Sequence, residues 1–333
     1  MKRILTGDRP TGFLHLGHFV GSLKSRIALQ DSHEMFILVA DVQALTDNFD
    51  DTTKIKNSVL EVMKDYISVG LDPRKCKFIL QSSVPEIAEL TVFFSNLVSI
   101  SRLMRNPTVK SEIIEKKGKF NNENITYGFL GYPVSQAADI TIFMADIVPV
   151  GIDQSPMVEQ SRELVRKFNS IYGNVLKVPE IMLSNTPRLI GIDGQNKMSK
   201  SLDNTIKLSE KEDTLRKKVF SMYTDPTRIH KDDPGHVENN PVFIYLRNFD
   251  SDISKVEELE ERYKKGKVGD MEVKERLFKV LNDFIEPIRE RRSKLTDDDY
   301  LLDILKEGTM YSRQIAKDTM ERVKDSMSLY KII

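Results

Sequence analysis

The first thirty residues predict a strand, a glycine-rich turn and a helix in direct succession. Residues 3–6 have the short apolar pattern of a buried strand, and Gly7 and Gly12 then break the chain into a turn. From Gly17 onward, apolar residues recur at helical spacing. A helix that begins directly after a strand turns its free N–H groups and positive dipole end toward the turn. This segment therefore predicts an anion-binding site.

The string HLGH at residues 15–18 lies where that helix begins. His15 and His18 can donate hydrogen bonds to phosphate oxygens, and Gly17 has no side chain to keep a nucleotide away from the backbone. Half of a metal site and an ordinary surface pair are the alternatives. A zinc site would need further ligands, but the chain has one Cys and its other three His lie at no ligand spacing. We therefore predict no metal site.

A second string, KMSKS at residues 197–201, follows a predicted strand at 188–192 and a turn at 193–196. Lys197 and Lys200 can offset the charge of a pyrophosphate leaving group, and the two serine hydroxyls add hydrogen-bond donors. A solvated Lys/Ser loop is the plainer alternative. The occurrence of both strings in one chain favours phosphate chemistry.

Strands alternate with helices up to about residue 204, and only helical patterns follow. The order predicts an α/β fold, a Rossmann-like doubly wound parallel sheet with ligand sites at the carboxyl ends of its strands. The further strands are expected at 34–40, 77–81 and 147–150. We predict a catalytic domain at 1–204 and an all-helical domain at 205–333.

Composition narrows the setting of the protein. The 333 residues are 40% hydrophobic without a long apolar run, so no transmembrane span is expected. The chain enters its first strand at once, which leaves no room for a signal peptide. A single Cys fits the cytoplasm. Because Lys+Arg and Asp+Glu balance at 50 each, a nucleic-acid partner would have to be met by local basic patches.

Three stretches resemble the class I aminoacyl-tRNA synthetases, and among them the tryptophan-activating branch. They are GDRPTGFLHLGHFVGSL at 7–23, YPVSQAADI at 132–140 and VPVGIDQ at 148–154. The resemblance spans nearly the whole chain. It implies ATP-dependent activation of L-tryptophan, transfer to tRNA(Trp), a homodimer, and helices that read the anticodon. Mg²⁺ would arrive with ATP, without a dedicated protein site.

The resemblance also implies the site residues. His15, His18, Lys197 and Lys200 are the expected catalytic residues. The expected ATP site comprises Arg9, Pro10, Thr11, Gly17, His18, Gly151, Ile152, Asp153, Leu189, Lys197, Met198, Ser199, Lys200 and Ser201. The expected tryptophan site comprises Leu5, Gly7, Tyr132, Gln136, Asp139 and Gln154, with Gln154 on the substrate amino group.

Asp139 is the residue we expect to select the substrate. It lies in an apolar helical stretch, and an ionised carboxylate, which only accepts hydrogen bonds, can pair with an indole N–H but with nothing on phenylalanine. A buried acceptor rejects ligands that lack the donor. The residue pattern alone also allows an Asp paired with Arg or Lys. A tyrosine enzyme would place an Asp on the equivalent helix, so Asp139 does not separate the two substrates.

Three other functions stay open. The scaffold could activate tyrosine, or bind amino acid or nucleotide as a sensor that no longer charges tRNA. A small-molecule adenylyltransferase shares the first string, but such enzymes are usually much shorter and lack both the second string and a helical tail. The chain also departs from many bacterial tryptophan enzymes, with His18, Gln43 and Gln136 where they have Asn, His and Met.

Overall fold

A computed structural model describes residues 1–115, 125–183, 189–196, 198–230, 232–330 and 332. In this part of the chain, five parallel strands form one sheet in the order β3-β2-β1-β4-β5. The strands are β1 (Arg3–Asp8), β2 (Glu34–Val39), β3 (Cys76–Leu80), β4 (Ile147–Val150) and β5 (Glu180–Leu183). The strand order reverses between β1 and β4, which is the topological switch point at which such sheets bind ligands.

The helices surround the sheet on both faces. Those before β5 are α1 (Leu16–His18), α2 (Lys24–Leu29), α3 (Asp41–Asn48), α4 (Thr52–Val69), α5 (Pro85–Ser95), α6 (Ile100–Met104), α7 (Pro107–Glu115), α8 (Tyr127–Ile142) and α9 (Ser155–Tyr172). Those after it are α10 (Glu212–Phe220), α11 (Pro241–Phe249), α12 (Ile253–Lys264), α13 (Asp270–Ser293) and α14 (Asp298–Ser326). The predicted doubly wound parallel sheet is confirmed.

The prediction of the fifth strand was wrong. Residues 189–192 lie outside the sheet, Arg188 lies outside the described residues, and β5 at Glu180–Leu183 forms the sheet edge instead. Glu180 and Leu183 are exposed, and the apolar run of this short edge strand is only three residues long, below the roughly four to eight that mark a buried strand in a sequence. Residues 189–192 pair with the loop that follows them: the Leu189 carbonyl accepts from Met198 N–H at 3.3 Å.

The predicted opening helix is not one regular α-helix. A π-helical turn at Phe19–Leu23 separates α1 from α2. Such turns insert a wider ring of hydrogen bonds into a helix, and they occur frequently at functional sites. Apolar periodicity does not reveal them, because one extra residue hardly changes the pattern over two turns.

The C-terminal helices pack directly on the sheet. One apolar cluster joins β1 residues such as Ile4 to α13 residues such as Leu277 and Leu281. On the opposite face, Ala316 and Met320 of α14 share a cluster with residues of β1, β2 and α8. Among the described residues after β5, all regular elements except a short 3₁₀ turn at Lys200–Leu202 are α-helices. The domain boundary after residue 204 stays a prediction.

Helix α14 covers the β3 edge of the sheet. Thr309 Oγ1 accepts a hydrogen bond from the backbone N–H of Leu80 at 2.9 Å, and Gly308 faces the backbone of Phe78. A Cβ at Gly308 would lie 2.2 Å from the Phe78 carbonyl oxygen. Glycine is therefore what permits the helix to approach an otherwise open strand edge. Among the described residues, no helix combines the length and apolar composition that crossing a membrane requires.

Gly308→Ala should lower the free energy of unfolding by about 1–3 kcal/mol, because α14 must move away from β3 to admit the methyl group. Urea denaturation followed by circular dichroism measures this change. Gly128→Ala in α8 is the matched control, since a Cβ there meets nothing within 4 Å. Equal stability of the two variants would contradict the close approach.

Candidate active site

The predicted site residues gather at the carboxyl ends of β1 and β4. These neighbouring strands pair at Ile4 and Ile147, and the turn after β1 leads into α1. Gly12 has φ of +117°, a conformation that glycine adopts without strain, so it closes this turn tightly. The turn that carries these candidate residues therefore lies at the topological switch point.

His15 and His18 cap the start of α1 for each other. His15 Nδ1 accepts from the backbone N–H of Gly17 at 3.2 Å, and His18 Nδ1 accepts from the backbone N–H of His15 at 3.2 Å. The two ring centroids lie 3.9 Å apart. An Nδ1 atom that accepts cannot carry the ring proton, so each neutral imidazole holds it on Nε2. Both rings are thus Nε2–H donors.

The same surroundings keep both rings uncharged. Burial, with His18 and Lys200 nearby, lowers the pKa of His15 to about 2. Burial also lowers the pKa of His18 to about 4, although Asp8 acts in the opposite direction. At neutral pH such a pair can donate hydrogen bonds to an anion without adding positive charge.

The end of β1 is held by an ion pair that the sequence analysis missed. Arg26 Nη1 lies 2.6 Å from Asp8 Oδ2, which also accepts from the Tyr66 hydroxyl at 2.7 Å. Arg26 Nη2 donates to the Gly7 carbonyl at 3.2 Å. Burial acts to raise the pKa of Asp8, but Arg26 and the other donors hold it well below its usual range. This network fixes the strand end from which the turn departs.

Lys200 of the second string contacts the turn before the first string. Its Nζ donates to the Gly12 carbonyl at 2.9 Å and lies 3.5 Å from Thr11 Oγ1. Burial lowers the pKa of Lys200 to about 8, against the raising effect of Asp8 and Asp65. The fold thus brings a cation from the second string to the same place as the two imidazoles.

Two further residues of the second string, Met198 and Ser199, also form hydrogen bonds. Met198 is buried, and its sulfur accepts from the Gly17 N–H at 3.3 Å. Ser199 N–H donates to Asn204 Oδ1 at 2.7 Å. Asp193 Oδ2 accepts from Asn204 Nδ2 at 3.1 Å. Asp193 Oδ1 accepts from the two backbone N–H groups at residues 195 and 196, which confirms the turn predicted at 193–196. Lys197 lies outside the described residues, and so does the side chain of Ser201.

Asp139 is buried on α8, 3% exposed, and it faces an amide rather than a cation. Gln81 Nε2 donates to both its oxygens, at 2.8 and 3.0 Å. Among the described residues, no Lys, Arg or His lies within ion-pair distance of this carboxylate, so the alternative of an internal salt bridge is wrong for that part of the chain. Burial raises the pKa of Asp139 to about 7, and Gln81 opposes this rise.

Four other residues predicted for the tryptophan site lie on α8 and β1. Along α8, Tyr132 precedes Gln136 by four residues and Gln136 precedes Asp139 by three, so all three lie on one face of the helix. Tyr132 is buried. Its burial and, to a smaller extent, the nearby Glu112 raise the pKa of its hydroxyl above the usual range. Leu5 belongs to the apolar cluster that includes Ala137 and Ala138, while Gly7 is exposed two residues farther along β1.

The residues after β4 form a polar turn at the other side of the switch point. Gln154 Nε2 donates to Asp153 Oδ2 at 3.0 Å, and Thr108 Oγ1 donates to the Asp153 carbonyl at 3.0 Å. Ile152 is 77% exposed beside Gly151. In the turn after β1, Arg9 Nη1 lies 3.3 Å from Asp47, and Pro10 is buried.

The sheet order, the paired imidazoles and the returning lysine make a comparison with known proteins informative. A family model described as tRNA synthetases class I (W and Y) matches residues 1–286. Proteins named tryptophan–tRNA ligase from Clostridium longisporum and Streptococcus mutans are each 51% identical and cover 98% of this chain, which covers 96% and 98% of them. The chain belongs to the tryptophan–tRNA ligase family of class I synthetases.

A solved structure agrees with this family. The tryptophanyl-tRNA synthetase of Campylobacter jejuni, described as complexed with ADP and tryptophan, has a TM-score of 0.84 and 33% identity. The match covers 98% of this chain and all of that one. The fold of the synthetase family therefore extends through the C-terminal helices of this chain.

In this member of the synthetase family, hydrogen bonds and the nearby charge of Lys200 bring part of the predicted site together. His15, His18, Gly17, Met198 and Lys200 form one connected group around the start of α1. Their individual roles, and those of the residues on α8 and after β4, stay predictions. Among the described residues, no group of three or more His, Cys, Asp or Glu side chains could hold a metal ion.

His18→Asn should flatten the pH dependence of stability. The unfolded chain takes up a proton on this imidazole below its ordinary pKa of 6.5, whereas the folded form resists protonation down to about 4. The free energy of unfolding should therefore fall as pH drops from 7 to 4, by up to about 1.4 kcal/mol per pH unit for each such ring. The variant loses one ring's share.

Urea denaturation at several pH values between 7 and 4 measures these slopes. Replacing the exposed His230 with Asn serves as the control for the loss of an imidazole. A His18→Asn slope as steep as that of the unaltered protein would contradict the buried neutral ring.

Proposed function

We propose that the protein activates L-tryptophan with ATP to form tryptophanyl-adenylate, and then transfers the tryptophanyl group to tRNA(Trp). The observation that supports this most directly is the contact between the two signature strings. Lys200 Nζ donates to the turn that leads to two neutral Nε2–H donors, and the carboxylate of Asp139 lies buried on α8, where Gln81 donates to it. The named relatives support the choice of amino acid.

In the first step, a carboxylate oxygen of tryptophan attacks the α-phosphorus of ATP. A new P–O bond forms, the bond to the β-phosphate breaks, and pyrophosphate leaves with that electron pair. His15 and His18 donate to phosphate oxygens, and Lys200 offsets the charge that develops on the leaving group. Arg9 and Lys197 join them as further cations. Catalysis comes from positioning and charge stabilisation rather than from a covalent enzyme intermediate.

The nucleotide would lie across the switch point. Pro10, Thr11 and Gly17 border it on the β1 side, Gly151, Ile152 and Asp153 on the β4 side, and Leu189, Met198, Ser199 and Ser201 on the second string. Mg²⁺ would enter bound to the triphosphate. It would supply charge neutralisation there.

The amino acid would bind over α8 and β1. Asp139 accepts from the indole N–H, Tyr132 and Gln136 line the same helical face, and Gln154 accepts from the ammonium group. Leu5 and Gly7 complete the pocket from β1. A carboxylate at this depth rejects phenylalanine, which would leave it unpaired.

In the second step, the 2′-hydroxyl of the terminal adenosine of tRNA attacks the tryptophanyl carbonyl and AMP leaves. The C-terminal helices would read the anticodon, as the resemblance to the synthetase family implies. The working form is a homodimer in the cytoplasm.

Amino-acid-dependent ATP–pyrophosphate exchange tests the proposal, run with each of the twenty amino acids. We expect exchange with tryptophan alone. Exchange with tyrosine would replace the substrate while keeping the scaffold. Silence across the panel, with tryptophan still bound, would favour the sensor function. Binding is visible by the fluorescence of tryptophan itself, because the chain contains none.

Lys200→Ala should slow tryptophan-dependent exchange by orders of magnitude, because the cation that stabilises pyrophosphate departure is lost. Tryptophan affinity, measured by fluorescence, should change little. Lys211→Ala, which removes an exposed lysine, is the control. Equal losses of exchange and of tryptophan binding would contradict this division of roles.

The pH profile of exchange gives a second test of Lys200. Its pKa is lowered to about 8, so the free enzyme loses this ammonium as pH rises through 8, and kcat/KM for ATP should fall there. In Lys200→Arg the guanidinium stays charged, so the alkaline fall should move to higher pH even if the rate is lower. An identical alkaline fall in both proteins would assign it to another group.

A further inference from the structure

We propose that Gln81 is the positioning residue that holds Asp139 as an ionised hydrogen-bond acceptor, and that it thereby sets the selection of an indole N–H. This inference rests on the proposed function, because it concerns how the same pocket distinguishes its substrate. Neither signature string includes Gln81, which follows β3 in a short 3₁₀ turn, Gln81–Ser83.

The contact is buried and two-sided. Gln81 is 2% exposed and Asp139 is 3% exposed. One amide nitrogen reaches both carboxylate oxygens, at 2.8 and 3.0 Å, so it holds the carboxylate in position. Each oxygen keeps further lone pairs for another donor. The carboxylate is therefore held in place and still able to accept.

The direction of the Gln81 amide is determined by the backbone. Its Oε1 accepts from the backbone N–H of Gln43 at 2.9 Å, and a backbone N–H can only donate. The oxygen must therefore face Gln43, which leaves Nε2 facing Asp139. Flipping the amide would set two donors against each other at Gln43 and two acceptors against each other at Asp139.

The charge on Asp139 has little other support. Burial disfavours its ionised form, and Asp41, on the neighbouring helix α3, adds a like charge. Among the described residues, no cation pairs with it, and Gln81 is the side chain that donates to it. Removing this donor would favour the protonated acid, which can donate as well as accept. The pocket would then lose its requirement for a substrate N–H.

The comparison of tryptophan with 3-benzothienylalanine isolates this effect, since sulfur replaces the N–H in a ring of nearly the same shape. We would measure kcat/KM for both amino acids in ATP–pyrophosphate exchange. In Gln81→Met, which keeps the volume but removes the donor, the ratio of tryptophan to analogue should fall at least about tenfold, mainly through loss of activity with tryptophan.

Gln30→Met is the matched control. Gln30 is a buried amide that donates to the Gly70 carbonyl and accepts from the Asp72 N–H, in the same pattern as Gln81 but on the opposite side of β2 from the pocket residues of α8. It should leave the ratio unchanged whatever it does to stability. A Gln81→Met enzyme that loses activity with both amino acids equally would overturn the proposal and leave Gln81 a structural residue.

Gln81→Leu covers the case in which the Met variant does not fold. The shorter side chain also removes the donor to Asp139, and it offers no acid that could share a proton with that carboxylate. The ratio should again fall, and an unchanged ratio would overturn the proposal. If the unaltered protein shows no exchange with tryptophan at all, the proposed function fails, which is a separate result from an unchanged ratio.

Discussion

The start of α1 depends on two imidazole rings that each accept a hydrogen bond from a backbone N–H there. His15 takes the N–H of Gly17 and His18 takes the N–H of His15, so neither ring can be protonated without losing its bond. The cap fixes both tautomers and directs the remaining protons through Nε2. The proposed anion site at the end of β1 therefore combines rings that are buried and neutral with a positive charge, Lys200, from a separate loop.

The helical region takes part in this arrangement. Asp65 of α4 is fully buried and accepts the backbone N–H of Leu14, directly before the first string, at 2.7 Å. Arg292, at the end of α13, lies 3.5 Å from the other oxygen of Asp65 and stacks over the ring of Phe13. Burial raises the pKa of Asp65 to about 6 against the effect of Arg292. A residue of the C-terminal helices thus contacts the turn before the two imidazoles, both directly at Phe13 and through Asp65.

The sequence predicted what local patterns encode. The strand, turn and helix at the start, the parallel sheet and the helical tail follow from apolar spacing and from turn residues. The contact of Gln81 with Asp139 joins residues 58 apart, and no spacing rule brings them together. The edge strand β5 escaped prediction because it is only four residues long and its apolar run has only three residues. Local sequence patterns therefore indicated the candidate site, and tertiary contacts determine which of its groups are charged and which are held in position.

The protonation state of His15 and His18 tests the central claim most directly. Long-range ¹H–¹⁵N correlation spectra of the protein labelled at histidine report which ring nitrogen carries the proton, and the chain has only five histidines to assign. We expect both rings to be Nε2–H tautomers that stay neutral from pH 8 down to pH 5. An Nδ1–H tautomer, or titration of either ring near pH 6.5, would contradict the reciprocal cap.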